Sequence, residues 1–218
     1  MAFLRSNSAS SVKDIEDNDI KFLYHITSRS HLQSICRFGI LSHNKVREKE
    51  KIREDISLPG VQSRRERKII DNKSLHEYAC LYFDARNPML YKVQKEYDDI
   101  VILAVDKMVL LEKSTIYSDG NAAADNSIFY SGTEFLNRLN WSKINADYWT
   151  DSFSNYSHDE LSVEERSRIK CAEILVYPKV RPERIKAAIC NTKQNHDFCI
   201  FITNQKFPVH LDKGFFFE

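Results

Sequence analysis

"RIKCAEILVYPKV", residues 168–180, decides how the chain is read. Four of the five residues from Ala172 to Val176 are apolar, the composition of a buried strand, yet the fifth is Glu173. A carboxylate at the head of a core strand is costly unless it is paired or faces a cleft. Two readings follow: a structural ion pair with Arg168 or Lys170, or a group placed for chemistry.

Working outward, "IKFLYHI" at 20–26 predicts a strand, and "SRSHLQSICRFGIL" predicts a helix entered at Ser28 and stopped at Gly39, with Leu32, Ile35, Cys36 and Phe38 at helical spacing. A charged stretch follows, helical from about Gly60. "LHEYACLYFDARNPMLYKV" predicts a strand up to Phe83, a turn at Asn87-Pro88 and a short helix carrying Met89, Leu90 and Tyr91. Ile100 to Val105 is a strong strand signal, and "STIYSD" is a shorter one. Residues 119–170 form a long polar excursion with helical pieces, and "CAEILVY", "IKAAICN", "FCIFIT" and "FPVHL" then read as late strands. Strands in runs, with helices early and in the middle, predict an α+β domain rather than alternating βαβ units. Residues 1–19 read as a loose polar leader before a single domain over 20–218.

The composition agrees with one substantial core. The 218 residues are 42% hydrophobic and include 13 Phe and 10 Tyr, but only 5 Gly and 5 Pro, which argues against repeats or disorder. No apolar run is long enough for a signal peptide or a membrane span, so a soluble, cytoplasmic protein is expected. Five scattered cysteines without a C-x-x-C pair fit reduced thiols, and seven histidines show no ligand spacing, so no metal is expected. The usual Gly-rich nucleotide-binding and G-x-S-x-G hydrolase signatures are absent.

Net charge is +1, unevenly spread: from Lys45 to Lys73 ten Lys or Arg face six acids. The bland reading is a solvated helix laced with ion pairs. The sharper one is a phosphate-binding cluster of Arg64, Arg65, Arg67 and Lys68. His25, near the end of its strand, is either a satisfied core histidine or a ligand-binding group.

"FLYHITSRSHLQSICRFGILSHN", "VQSRRERKII", "LHEYACLYFDARNPMLY", "INADYWTDS" and "KCAEILVY" occur in the order and spacing that resembles the DarT family of DNA ADP-ribosyltransferase toxins, from about Ile20 onward. The block Tyr-Phe-x-x-Arg-x-Pro-Met-Leu-Tyr at 82–91 is its most specific part. The resemblance implies a single ADP-ribosyltransferase-like domain with a central, mostly antiparallel split β-sheet and flanking helices. It implies NAD as co-substrate, a base of single-stranded DNA as acceptor, and a DarG-type macrodomain antitoxin as partner, with no membrane involved.

By the same resemblance Glu173 is the transferase glutamate and Arg65 the second catalytic residue. Guanidinium is too basic to accept a proton, so Arg65 is better read as holding an NAD phosphate or polarising a base carbonyl. His25, Ile26, Thr27, Ser34 and Leu41 fall on NAD-binding positions, and residues 43–62 on an NAD-binding loop. The stretch 119–173 corresponds to the acceptor-recognising loop, with Asn126, Tyr130 and Trp149 as candidate base contacts beside Asn87, Met89 and Tyr91. The motifs are more like the thymidine-modifying members than the guanosine-modifying ones. A non-catalytic nucleic-acid-binding module, or a transferase acting on protein or RNA, are the alternatives.

Overall fold

The computed structural model describes residues 2–6, 8–48, 59–150 and 160–218. Nine strands form one sheet: β1 (Phe3–Arg5), β2 (Phe22–Ser28), β3 (Ala79–Tyr82), β4 (Ile100–Asp106), β5 (Thr115–Ser118), β6 (Phe129–Ser131), β7 (Glu173–Val176), β8 (Ile185–Cys190) and β9 (Val209–Leu211). Their order is β1-β6-β5-β7-β3-β2-β4-β8-β9. The outermost pairs, β1 with β6 and β8 with β9, are parallel, and the pairs between them are antiparallel.

The sheet divides at its middle. β2 follows β4 through seven residue pairs, Phe22 opposite Asp106 to Ser28 opposite Ile100. It meets β3 at one pair, Tyr24 opposite Tyr82. Past that pair the two halves part, and the split expected from the resemblance lies here.

Helices α1 (Val12–Asp17), α2 (Leu32–Phe38), α3 (His43–Glu48), α4 (Pro59–Arg67), α5 (Pro88–Glu96), α6 (Trp141–Ile144), α7 (Val163–Lys170) and α8 (Lys193–Thr203) flank the sheet. Ser28 accepts from the Ser30 N–H and opens a 3-10 turn that runs into α2, while Gly39, at φ 85°, ends that helix. A Cβ at Gly39 would stand 2.0 Å from the Val180 carbonyl oxygen, so the chain needs glycine there for space as well as for conformation. Asn87 caps α5 by accepting from the Met89 and Leu90 N–H groups, with Pro88 in the first turn.

Two expectations are corrected. Residues 1–19 are not a loose leader along their length: β1 pairs with β6, and α1 buries Ile15 completely in the main core. "FCIFIT" is the second half of α8, not a strand. Five consecutive apolar residues fit either state, and the Thr192 side chain decides by accepting from the Asn195 N–H and starting a helix upstream of them. The excursion at 119–170 also contains a strand, β6, that the polar composition hid. All five cysteines are free thiols. Among the described residues no helix is long and apolar enough to cross a membrane.

Candidate active site

A cleft of about 1290 Å³ opens beside the seam between β2 and β3. This exceeds the ~300–1,000 Å³ of ordinary small-molecule sites, so it has room for a ligand larger than a single nucleotide. Its lining takes His25 and Thr27 from β2, Cys80 and Tyr82 from β3, and Glu173 from the head of β7.

Glu173 is 2% exposed, and its partners are neither Arg168 nor Lys170. Arg65, on the last turn of α4, shares one guanidinium nitrogen between both carboxylate oxygens, 2.9 Å from Oε2 and 3.2 Å from Oε1. The Ala122 N–H donates to Oε1 at 2.8 Å. Arg168 is engaged by Asp119 and Glu165, and Lys170 by Asp84 and the Ile144 carbonyl. The carboxyl group that looked out of place in the sequence is therefore paired, with one guanidinium and one backbone donor compensating its burial.

Arg65 is itself 9% exposed, and its other terminal nitrogen donates to the Cys80 sulfur. Burial works against its charge, but its neighbours, Glu173 among them, more than offset this and hold the guanidinium above its ordinary range. It stays a cation and cannot serve as a base. Burial pushes the Cys80 thiol up to about 12, so it remains an uncharged neighbour. Tyr82, across the ladder from Glu173, is raised well above its ordinary value, by burial first and the Glu173 charge second. Of the expected phosphate-binding cluster, then, Arg65 is an internal counter-ion and Lys68 bonds the Ala124 carbonyl, whereas Arg64 and Arg67 are exposed and Arg64 lines the cleft.

The donor at Ala122 belongs to a turn that α7 clamps. Arg168 donates to Asp119 Oδ1 at 2.9 Å and to Ser127 Oγ at 3.1 Å, and its carbonyl accepts from the Asn121 N–H at 2.8 Å. Gly120 passes so close that a Cβ there would lie 2.8 Å from that same carbonyl oxygen.

His25 is half-buried, and its Nδ1 lies 2.9 Å from the Cys80 carbonyl oxygen, an acceptor, which assigns the proton to Nδ1. Burial lowers its pKa to about 4, with the Cys80 carbonyl opposing, so the ring is neutral near pH 7. Nε2 is then an acceptor.

The other expected residues divide. Ile26, Thr27, Ser34 and Leu41 line the cleft, as do Met89, Tyr91 and Trp149. Asn87, Asn126 and Tyr130 do not. Asn87 is fully buried, with its oxygen spent on the α5 cap and its amide donating to the Asp84 carbonyl at 2.9 Å. Asn126 is exposed and donates to Glu165 at 3.3 Å. Tyr130 is a core residue stacked on Tyr117, ring centroids 5.5 Å apart. Of the expected 43–62 loop, residues 43–48 form α3 and 59–62 begin α4, while 49–58 lie outside the described residues, as do 151–159 of the expected acceptor loop.

Sequence reasoning did not single out the wall residues Cys80, Tyr82, Phe217 and a His43–His76 ring pair 4.3 Å apart, nor the buried Ala122 whose N–H holds Glu173. Tyr82 carried a signal as the first residue of the 82–91 block, and His43 as the first residue of the expected NAD-binding loop.

Residues 24–217 match a family model described as "DarT: ssDNA thymidine ADP-ribosyltransferase, DarT". The chain is 32% identical over 202 residues to a DNA ADP-ribosyl transferase–DNA ADP-ribosyl glycohydrolase fusion protein of Thermosipho africanus, covering 89% of this chain and 49% of that protein. It is 29% identical over 168 residues to a DNA ADP-ribosyl transferase of Thermus sp., covering 71% and 74% respectively. Its fold superposes on Thermosipho africanus DarTG in complex with ADP-ribose with a TM-score of 0.78 at 27% identity, over 90% of this chain and 51% of that one. It also superposes on Thermus sp. 2.9 DarT in complex with ADP-ribosylated ssDNA, with a TM-score of 0.77 at 24% identity over 91% and 97%, a likeness of fold. The chain thus spans about half the length of the fusion protein it matches. With the family model matching over most of its length, the chain belongs to the DarT family.

Proposed function

We propose that this chain cleaves NAD and transfers its ADP-ribose to a thymine base in single-stranded DNA. The carrying observation is Glu173, a buried carboxylate fixed by Arg65 and the Ala122 N–H in a cleft-lining strand of a DarT-family chain. The bond between the ribose C1′ and the nicotinamide nitrogen breaks, and its electron pair neutralises the pyridinium as nicotinamide leaves. C1′ bonds the thymine N3, whose proton is lost to solvent.

Positive charge on the ribose peaks between these events, and a carboxylate already in place stabilises it without reorganising. A carboxylate offers about four lone-pair sites. Arg65 and Ala122 leave room on Oε2 for a ribose hydroxyl. Arg65 is a positioning cation for Glu173 in this reading, and its charge polarises a base carbonyl rather than taking a proton. His25, Ile26, Thr27, Ser34 and Leu41 hold NAD, and Met89, Tyr91 and Trp149 face the DNA.

Thymine N3 lies on the Watson–Crick edge, which an unpaired strand exposes. The Thermus DarT complex with ADP-ribosylated ssDNA supports that acceptor class, and the family description supports thymidine. The name of the Thermosipho fusion protein supports a DarG-type partner that removes the modification. The cofactor in this reading is NAD alone, consumed as substrate.

The test is intact-mass spectrometry of short oligonucleotides, each with a single thymine or guanine, after incubation with protein and NAD, beside Glu173→Ala. An added ADP-ribose on thymine strands that disappears in the variant is the expected result. Adducts on guanine strands alone would move the acceptor to guanine, and intact NAD with no adduct would overturn the transferase.

A further inference from the structure

We propose that Phe217, with Tyr91 and Trp149, forms a stacking subsite for a base that flanks the acceptor in the DNA strand. This rests on the transfer reading above for its substrate class, and it assigns a role to segment 213–218, which nothing in that reading uses.

The segment is fastened at several points. The Gln94 side-chain amide exchanges two hydrogen bonds with the Phe217 backbone, at 2.7 and 3.1 Å. Arg86 donates to the Gly214 carbonyl at 2.8 Å and to the Phe216 carbonyl. Phe216 is 4% exposed and packs in a core cluster with Ile26, Leu90 and Ile189. That anchoring leaves the neighbouring Phe217 only half-buried, in the wall of the cleft.

Three rings meet there. Phe217 stands perpendicular to Tyr91 at 5.4 Å and to Trp149 at 5.7 Å, and Tyr91 meets Trp149 at 5.9 Å and 81°. Mutual edge-to-face contact makes a rigid corner. Trp149 is further fixed by its carbonyl, which accepts from Arg166 at 3.1 Å. A ring trio built to fill the core would be closed off, whereas these three are half-exposed and line the cleft.

Cations back the corner: the Arg86 guanidinium lies over one face of Phe217, 4.5 Å from its ring centre, and the Lys95 ammonium over one face of Tyr91 at 3.7 Å, with Lys92 and Lys213 also lining the cleft. Aromatic rings backed by cations are how a groove holds unpaired nucleotides, the base against the rings and the phosphate on the charge.

The experiment compares wild type, Phe217→Ala and Phe217→Tyr on fluorescent oligonucleotides carrying one thymine, with the base 5′ or 3′ of it present or replaced by an abasic site. Binding is read without NAD, and transfer and nicotinamide release with it. The expected result is a roughly tenfold weaker affinity and higher KM for DNA in Phe217→Ala, confined to strands that retain one particular flanking base. Phe217→Tyr keeps wild-type behaviour, and the kcat for nicotinamide release is unchanged in both variants. Equal losses on intact and abasic strands, or no loss in Phe217→Ala, overturn the subsite even if wild type transfers normally. Base-dependent binding by Phe217 in a wild-type protein that transfers nothing would uphold the subsite and overturn the transfer reading.

Discussion

Arg65 reaches Glu173 across 108 positions of sequence, with one nitrogen shared between the two carboxylate oxygens at 2.9 and 3.2 Å. Both side chains are nearly closed to water, at 11% and 2% exposure, so each is the other's main compensation for burial. The pair fixes the carboxylate in the cleft before any ligand arrives, which is how a group that stabilises a transition state is best presented.

Replacing Glu173 therefore separates binding from chemistry. Glu173→Gln keeps the side-chain length but not the charge, and Glu173→Asp keeps the charge one methylene short of its partners. Either variant lowers kcat for nicotinamide release about a hundredfold or more, while KM for NAD changes by less than about threefold. Steady-state nicotinamide release measures both. A Gln variant with more than a tenth of wild-type kcat would show that the charge is not what the reaction uses.

Stability and activity part company in a double variant. Removing Arg65 alone leaves a buried carboxylate unpaired and costs about 3–5 kcal/mol by the usual range for such pairs. Arg65→Met with Glu173→Gln removes both charges, and denaturant melts should recover most of that loss although the double variant stays inactive. A double variant no more stable than Arg65→Met alone would show that the pair is not where the loss arises.

Gly120 is a second handle, because a Cβ there meets the Arg168 carbonyl oxygen at 2.8 Å. The Arg168 guanidinium nitrogen would stand closer still, at 2.3 Å; that side-chain end can yield but the carbonyl cannot, so Gly120→Ala both disturbs the Arg168 clamp on Asp119 and shifts the turn that carries the Ala122 N–H away from Glu173. Overpacking of this kind costs about 1–3 kcal/mol. The expected outcome is a tenfold or greater fall in kcat with NAD affinity retained, read by nicotinamide release and calorimetry. Unaltered kcat would detach the turn from the carboxylate's positioning.

Glu173 was legible because a lone charge in an apolar strand needs an explanation whatever the fold, but its partner was not. The sequence offered Arg168 and Lys170 as neighbours, and both are claimed by acids that only the tertiary structure brings near, Asp119 and Asp84. Asn87, Asn126 and Tyr130 were expected beside the other candidate base contacts, and the structure places all three outside the cleft lining. Whether an Asn caps a helix or faces a cleft depends on the direction of its side chain, which spacing does not specify. "FCIFIT" failed for another reason: its hydrophobic period is compatible with either state, and the deciding Thr192 cap lies before it. Phe217 gave no signal at all, since its position rests on Gln94, 123 residues away.

Lys170 carries a structural prediction. It is 1% exposed, bonds the Ile144 carbonyl at 2.7 Å and pairs with Asp84. Burial lowers its pKa, and Asp84 opposes. Lys170→Ala leaves both the Asp84 carboxylate and the Ile144 carbonyl without their donor and opens space at the end of α7, so a loss of about 3 kcal/mol or more is expected in urea melts. Lys170→Met fills the space and should lose less than the Ala variant. Equal losses would mean that packing contributes nothing and the polar bonds everything.

Acid should destabilise the protein through two neutral histidines. Burial lowers His25 to about 4 and, with His43 and Arg65 adding to it, His76 to about 4, against about 6.5 in the unfolded chain. Below 6.5 the unfolded state takes up protons that the native state refuses. The stabilisation from each ring is therefore complete above that pH and lost as pH falls from 6.5 towards 4. Urea melts across that window should show stability falling, and the double variant His25→Gln, His76→Gln should show a shallower fall. The same neutrality bears on function: His25 does not change charge between pH 5.5 and 8, so KM for NAD should be flat there in wild type. A step in KM with its midpoint near 6.5 that disappears in His25→Gln would contradict the neutral, Cys80-bonded state of His25, whereas a step that persists there would belong to another histidine of the cleft wall.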